Sequence, residues 1–254
     1  MLWHKAWLET RWRFLTGLGV LALLAMGTVF GYPHVARELL PLVTPPQSDG
    51  MVARAIRESV ELSRTFRGYV WLNAFSQNFV QMGTLFAVLL GSGGLRTESV
   101  GTLYTLALPF SRRALMTTRA ATGLVELFAL VMVPSLLLVV LAPAIGQPYS
   151  VVDAVVHGVS VFAATTVFFG LTFWLATMFS DVWRPGLIAC GVAMGLALCE
   201  TVLAGAVPFG LFHLARAESY FREARVPWLG LGFAIGVAGL LVHRAIVAVE
   251  RQDF

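Results

Sequence analysis

The chain has 254 residues, of which 57% are hydrophobic and only 13% charged, with a formal net charge of +4. Its apolar residues come in blocks long enough to cross a bilayer. That excludes an ordinary soluble domain and predicts an all-α polytopic membrane protein. The small positive charge is scattered and reads as arginine at membrane edges, which makes nucleic acid a poor partner.

The opening segment, MLWHKAWLETRWR, places Trp3 and Trp7 on one helical face and fills the rest with Lys5, Glu9, Arg11 and Arg13. Tryptophan favours the headgroup zone, so the pattern predicts a helix lying in the membrane interface, the bland alternative being a disordered tail. A first span follows over residues 14–32. No small-residue cleavage site ends it cleanly, so a retained span is expected. Residues 33–67 form an external amphipathic segment. TPPQSDG breaks it, and Met51 to Arg67 then reads as a helix with Val52, Ile56 and Val60 on one side. It is either a solvated surface helix or a lid over an entry path.

The second span covers residues 69–95. Asn73, Gln77 and Gln81 recur every four residues on it, which puts three amides on one face. They either join helices of two subunits or line a substrate route. The third span, 120–145, contains Glu126, expected to pair with an arginine at the interface. The fourth covers 154–179, with Asp153 and His157 in register for a structural hydrogen bond at its start. The fifth, 186–207, contains Glu200, which lines or gates a pathway or is bonded structurally near the interface; an unpaired carboxylate at mid-membrane costs ~3 kcal/mol. The sixth covers 228–249. Gly191 and Gly195, like Gly232 and Gly236, have the spacing that lets helices approach closely. Cys190 and Cys199 are ~13 Å apart on one helix and cannot bridge.

Chemistry of its own is not expected of this chain. Its one lysine, Lys5, is not preceded by the glycines of a nucleotide-binding P-loop. No serine sits in a protease motif, and the five histidines are solitary. No catalytic or metal set is expected. Two rival readings stay open: an ATP-independent carrier or channel, and a haem-binding redox subunit ligated by His157 and His243.

Between the second and third spans runs the connection from Arg96 to Arg119, RTESVGTLYTLALPFSRRALMTTR. Val100, Leu103, Tyr104 and Ala107 have helical spacing. Pro109 stops that helix, Ser111 can cap a new one, and Arg112, Arg113 and Arg119 sit at the membrane edge. The pattern is either a helix offered to a partner's groove or a simple re-entry turn. Arginine counts on the two sides nearly tie, so charge leaves the orientation open.

This connection resembles the intracellular loop of type 2 ATP-binding-cassette (ABC) transporter permeases. Glu98, Gly101, Thr102, Leu103, Leu106, Leu108, Pro109, Ser111 and Arg112 match its Glu, Gly-Thr, leucine-rich and Pro-x-Ser-Arg positions, with Arg113 beside them. The ending VERQDF is also similar to the family's, except that Gln252 stands where an arginine is frequent. The resemblance implies a single permease domain over residues 1–254, with six transmembrane helices plus interfacial and coupling helices. It implies both termini in the cytoplasm of a bacterial inner membrane, and residues 96–119 as the ATPase-coupling loop. It implies a separate P-loop ATPase subunit binding ATP and Mg, and a second permease subunit, identical or not. The transported substrate is not legible.

Overall fold

A computed structural model describes residues 2–43, 50–92, 111–179, 181, 183–202 and 210–251. Every element assigned among them is helical. Five helices are long and apolar enough to cross a membrane, which marks a multi-pass membrane protein.

The first helix, α1, runs unbroken from Leu2 to His34 and continues through a wide π turn, Val35–Leu39, and a 3-10 turn, Leu40–Leu42. The expected interfacial helix and first span are therefore one rod. Nothing between Trp12 and Thr16 breaks a helix: there is no proline, glycine or capping turn, and the Thr16 hydroxyl bonds back to the Trp12 carbonyl at 2.7 Å. We call the end of the molecule at Leu2 proximal and the end at Leu42 distal.

The external segment is divided as well. Helix α2, Met51–Ser63, stops before Arg67, and α3, Phe66–Val70, starts anew. Thr65 makes the break by accepting the Gly68 N–H at 3.2 Å as an N-cap. A Cβ on Gly68 would collide with the Leu62 carbonyl, so the tight turn requires glycine there.

From Phe66 the chain stays helical to Gly91: α3 passes through a π-helical stretch, Trp71–Phe79, into α4, Val80–Gly91. The junction residues Val70, Trp71, Phe79 and Val80 all keep right-handed helical dihedrals. Asn73 donates its side-chain amide to the Tyr69 carbonyl at 3.1 Å. That is the acceptor its own backbone would use in an α-helix, and the competition accounts for the wide turns.

Helix α5, Arg112–Leu141, starts on the expected cap: the Ser111 hydroxyl accepts the Ala114 N–H at 3.2 Å. It carries Pro134 in its interior and ends in a 3-10 turn, Ala142–Ile145, closed by Gly146 at φ 72°. Helix α6 is Val151–Leu175, capped by Ser150, and α7 is Trp183–Val202. Two short helices that the sequence pattern did not announce, α8 (Leu211–Ala215) and α9 (Glu218–Glu223), precede α10, Trp228–Glu250.

Helix α6 is the hub, with α4, α5, α8 and α10 packed around it, while α1 lies against α5. Phe75, Phe79, Phe168 and Phe169 are fully buried. Small residues set the spacing. A Cβ on Gly123 would stand 2.7 Å from the Phe169 ring, and one on Gly91 equally close to the Phe169 carbonyl. Such contacts matter in a bilayer because packing, more than hydrophobic transfer, holds helices together there. Helix α7 is peripheral: only Pro185, Ala189 and Ala193 are buried on it. The two glycine pairs, 191/195 and 232/236, face open space.

Candidate functional site

The proximal face gathers the roots of the 96–119 connection. Glu98, Gly101, Thr102, Leu103, Leu106 and Pro109 lie outside the described residues; Ser111, Arg112 and Arg113 begin α5. The first turns of α1 reach both roots. Arg13 donates to the Leu89 carbonyl at 2.7 Å and to the Ser92 hydroxyl at 3.1 Å, at the end of α4. A cation there satisfies a terminal carbonyl and complements the helix dipole. One turn earlier, Glu9 pairs with Arg119 of α5 at 2.8 Å. The end of α10 joins them, with Glu250 at 3.9 Å from Arg113.

Glu126 departs from expectation. Its partner is the Thr10 hydroxyl at 2.5 Å rather than an arginine, and Arg119, seven residues before it, goes to Glu9. Thr10 is in reach because α1 is already helical there, continuous with the expected first span. Glu126 is 3% exposed, and its second oxygen, Oε2, has no hydrogen-bond partner.

The amide face is split by depth. Asn73 is half-buried and bonded to its own helix, whereas Gln77 and Gln81 are exposed on the molecule's side, with Leu85 one turn on at 40% exposure. Amides directed at hydrocarbon would each leave donors unpaired, so this face calls for a partner surface or a wet path.

Glu200 has a defined partner. Its carboxylate accepts the Phe212 N–H at 3.0 and 3.1 Å and the His213 N–H at 3.1 Å, capping α8 from the neighbouring helix α7. A Cβ on Gly210 would overlap this carboxylate, so the approach depends on that glycine. Sequence periodicity does not reveal a cap supplied from another helix.

The distal face holds a second polar assembly, of which the sequence signalled only Asp153 and His157. Arg67 donates to both Asp153 oxygens, at 2.7 and 3.4 Å, and the Tyr220 hydroxyl adds a third bond at 2.9 Å. His157 Nδ1 lies 2.7 Å from the Asp153 carbonyl and its ring packs on Phe75 and Tyr220, while its Nε2 is buried without a hydrogen-bond partner. Arg222 of α9 is shared by Glu218 and Glu58, tying α9 to α2. Burial opposes the Arg222 charge, but these two carboxylates overcome it and raise its pKa. Burial, seconded by the Asp153 charge, pushes the Tyr149 phenol above its ordinary range. These contacts fasten α2, α3, α6 and α9 together at one end.

The haem reading meets a geometric obstacle. His157 is at the distal end of α6, and His243 is exposed near the proximal end of α10, so one haem cannot take both. No protein family model, no curated protein and no solved structure matches this chain.

Proposed function

We propose that this chain is the membrane-spanning permease subunit of an ABC exporter in a bacterial inner membrane. The observation that carries the reading is the Arg96–Arg119 connection. Its Glu, Gly-Thr and Pro-x-Ser-Arg pattern is that of a coupling loop, and its two roots are grasped by one charged arm of α1 through Arg13 and Glu9. A loop meant to transmit force needs firm roots. In this reading the helical run from Phe66 to Gly91 joins the five long helices as the second of six spans in chain order, the proximal face is cytoplasmic, and both termini lie there. A separate P-loop subunit binds ATP and Mg and hydrolyses the nucleotide. This chain contributes the path and the lever. The exposed amides Gln77 and Gln81 turn toward a second permease subunit, identical or different.

The test is recovery of the chain from its native membrane in mild detergent, assayed for co-purifying, vanadate-sensitive ATPase activity. Leu106→Asp is expected to abolish that association while the helical fold persists. Association and transport unchanged in this variant would remove the coupling-loop assignment.

A further inference from the structure

An open cleft of about 440 Å³ lies on the distal face, between the end of α1 and α2. Leu39 and Val43 stand on one wall, and Val52, Ile56, Ser59 and Ser63 on the other. The walls run antiparallel. They are pinned together at one end, where the Tyr32 hydroxyl donates to the Arg64 carbonyl at 3.2 Å. At the other end Val43 and Val52 are 42% and 73% exposed.

Three features define what fits. First, the serine hydroxyls are already spent on their own helix: Ser59 donates to the Ala55 carbonyl at 2.8 Å and Ser63 to the Ser59 carbonyl at 2.7 Å. Water entering the cleft therefore finds few partners, whereas hydrocarbon needs none. The size falls in the ~300–1,000 Å³ range of small-ligand pockets. Second, the cleft has a definite depth. Counted from Phe14, where the apolar run begins, the ~30 Å hydrocarbon core takes up ~20 residues of helix and ends near His34, so Val35 to Leu39 fall in the next ~5–8 Å, the headgroup layer. The cleft thus lies in the distal headgroup layer. Third, the wall segments carry charge: Arg37, Arg54, Arg57 and Arg64 against Glu38, Glu58 and Glu61, with Arg64 paired to Glu61, Glu58 to Arg222 and Glu38 to His34. That balance suits a phosphodiester.

We propose that this cleft binds one acyl chain of a phospholipid from the distal leaflet, with its phosphate toward Arg54 of α2. The proposal does not rest on the exporter reading. The experiment places the full chain in vesicles of phosphatidylcholine and phosphatidylglycerol containing a phospholipid with a photoactivatable group at the end of one acyl chain. After irradiation, adducts are mapped by mass spectrometry. Adducts are expected on residues 35–43 and 52–63 in addition to the lipid-facing side of α10 at Phe233 and Leu240. Val52→Asp and Ile56→Asp change exposed side chains, and each is expected to lower the cleft adducts by roughly an order of magnitude. The α10 adducts and the melting temperature should stay unchanged. Adducts confined to the spans would overturn the proposal, as would cleft adducts indifferent to both substitutions, which would report only casual contact with bulk lipid. A cleft occupied instead by a second copy of the chain would show no lipid adducts there, with the same consequence.

Discussion

At the scale of single residues, Asp153 concentrates the most interaction. Its carboxylate is the common acceptor for Arg67 and Tyr220, which belong to segments 86 and 67 residues away. Asp153→Asn keeps the shape and removes the charge. Because the Arg67 side chain is 48% exposed, solvent screens the pair, and the expected loss is about 1–3 kcal/mol in reversible unfolding, below that of a fully buried pair. Arg67→Ala should cost little more once Asp153→Asn is present, since both remove the same contact. Tyr149 gives a pH-dependent prediction. Its folded-state pKa is raised, so its neutral form contributes stability in full below the ordinary phenol pKa of ~10 and loses it as pH rises through the folded value. Tyr149→Phe should remove one late-titrating phenol from an ultraviolet titration and lessen alkaline destabilisation. Loss of an early-titrating phenol would contradict the assigned burial. The hydrogen bond between His157 and the Asp153 backbone was legible in the sequence, because an i,i+4 spacing is local. Arg67 and Tyr220 were not, because only the folded chain brings them there.

At the scale of elements, the packing of α10 on α6 turns on Gly170. A Cβ there would stand 3.0 Å from the Ala238 carbonyl, and backbone cannot give way as a flexible side chain can. Gly170→Leu is therefore expected to part these helices at a cost of about 1–3 kcal/mol. It should lower the unfolding midpoint in detergent, whereas Gly232→Ala, with open space around it, should leave the midpoint where it was. Apolar runs located the long helices, since length and hydropathy are properties of the run itself, but α1 begins 12 residues and α5 8 residues ahead of the expected spans. Their ends were less legible. The start of α3 depends on Thr65 meeting Gly68, and the wide turns of Trp71–Phe79 depend on an amide competing for a carbonyl. The small helices α8 and α9 were missed because α8 takes its cap from Glu200 and α9 is tied to α2 through Arg222. The uniform helicity of α1 was hidden by its composition: a charged, tryptophan-rich start suggested a change of direction, but nothing there interrupts the backbone.

At the scale of the whole molecule, charge and polar bonding collect at two ends, with an apolar middle between them. The side of the Phe66–Gly91 run bearing Gln77 and Gln81 is left exposed, and a bilayer does not tolerate bare amides. Gln77→Cys, with Cys190 and Cys199 changed to serine, is expected to form disulfide-linked dimers in native membranes on mild oxidation. Phe233→Cys on α10 serves as the lipid-facing control and should not. Equal crosslinking of the two would mean that the amide face is no seam between subunits. The membrane class and the polarity of this face were legible in the sequence, because both follow from residue type and period. What the face meets was not, because that is a property of an assembly.

The unbroken course of α1 has a mechanical consequence. An elbow between an interfacial helix and a span would absorb a push as bending. A continuous helix passes it on along its backbone, braced by its packing against α5. Glu9 and Arg13 grip one end of this rod, and Leu39 and Val43 form a cleft wall at the other. The roots of the 96–119 connection and the wall of the distal cleft are therefore joined by one continuous helical backbone, with no relay of side chains between the two faces.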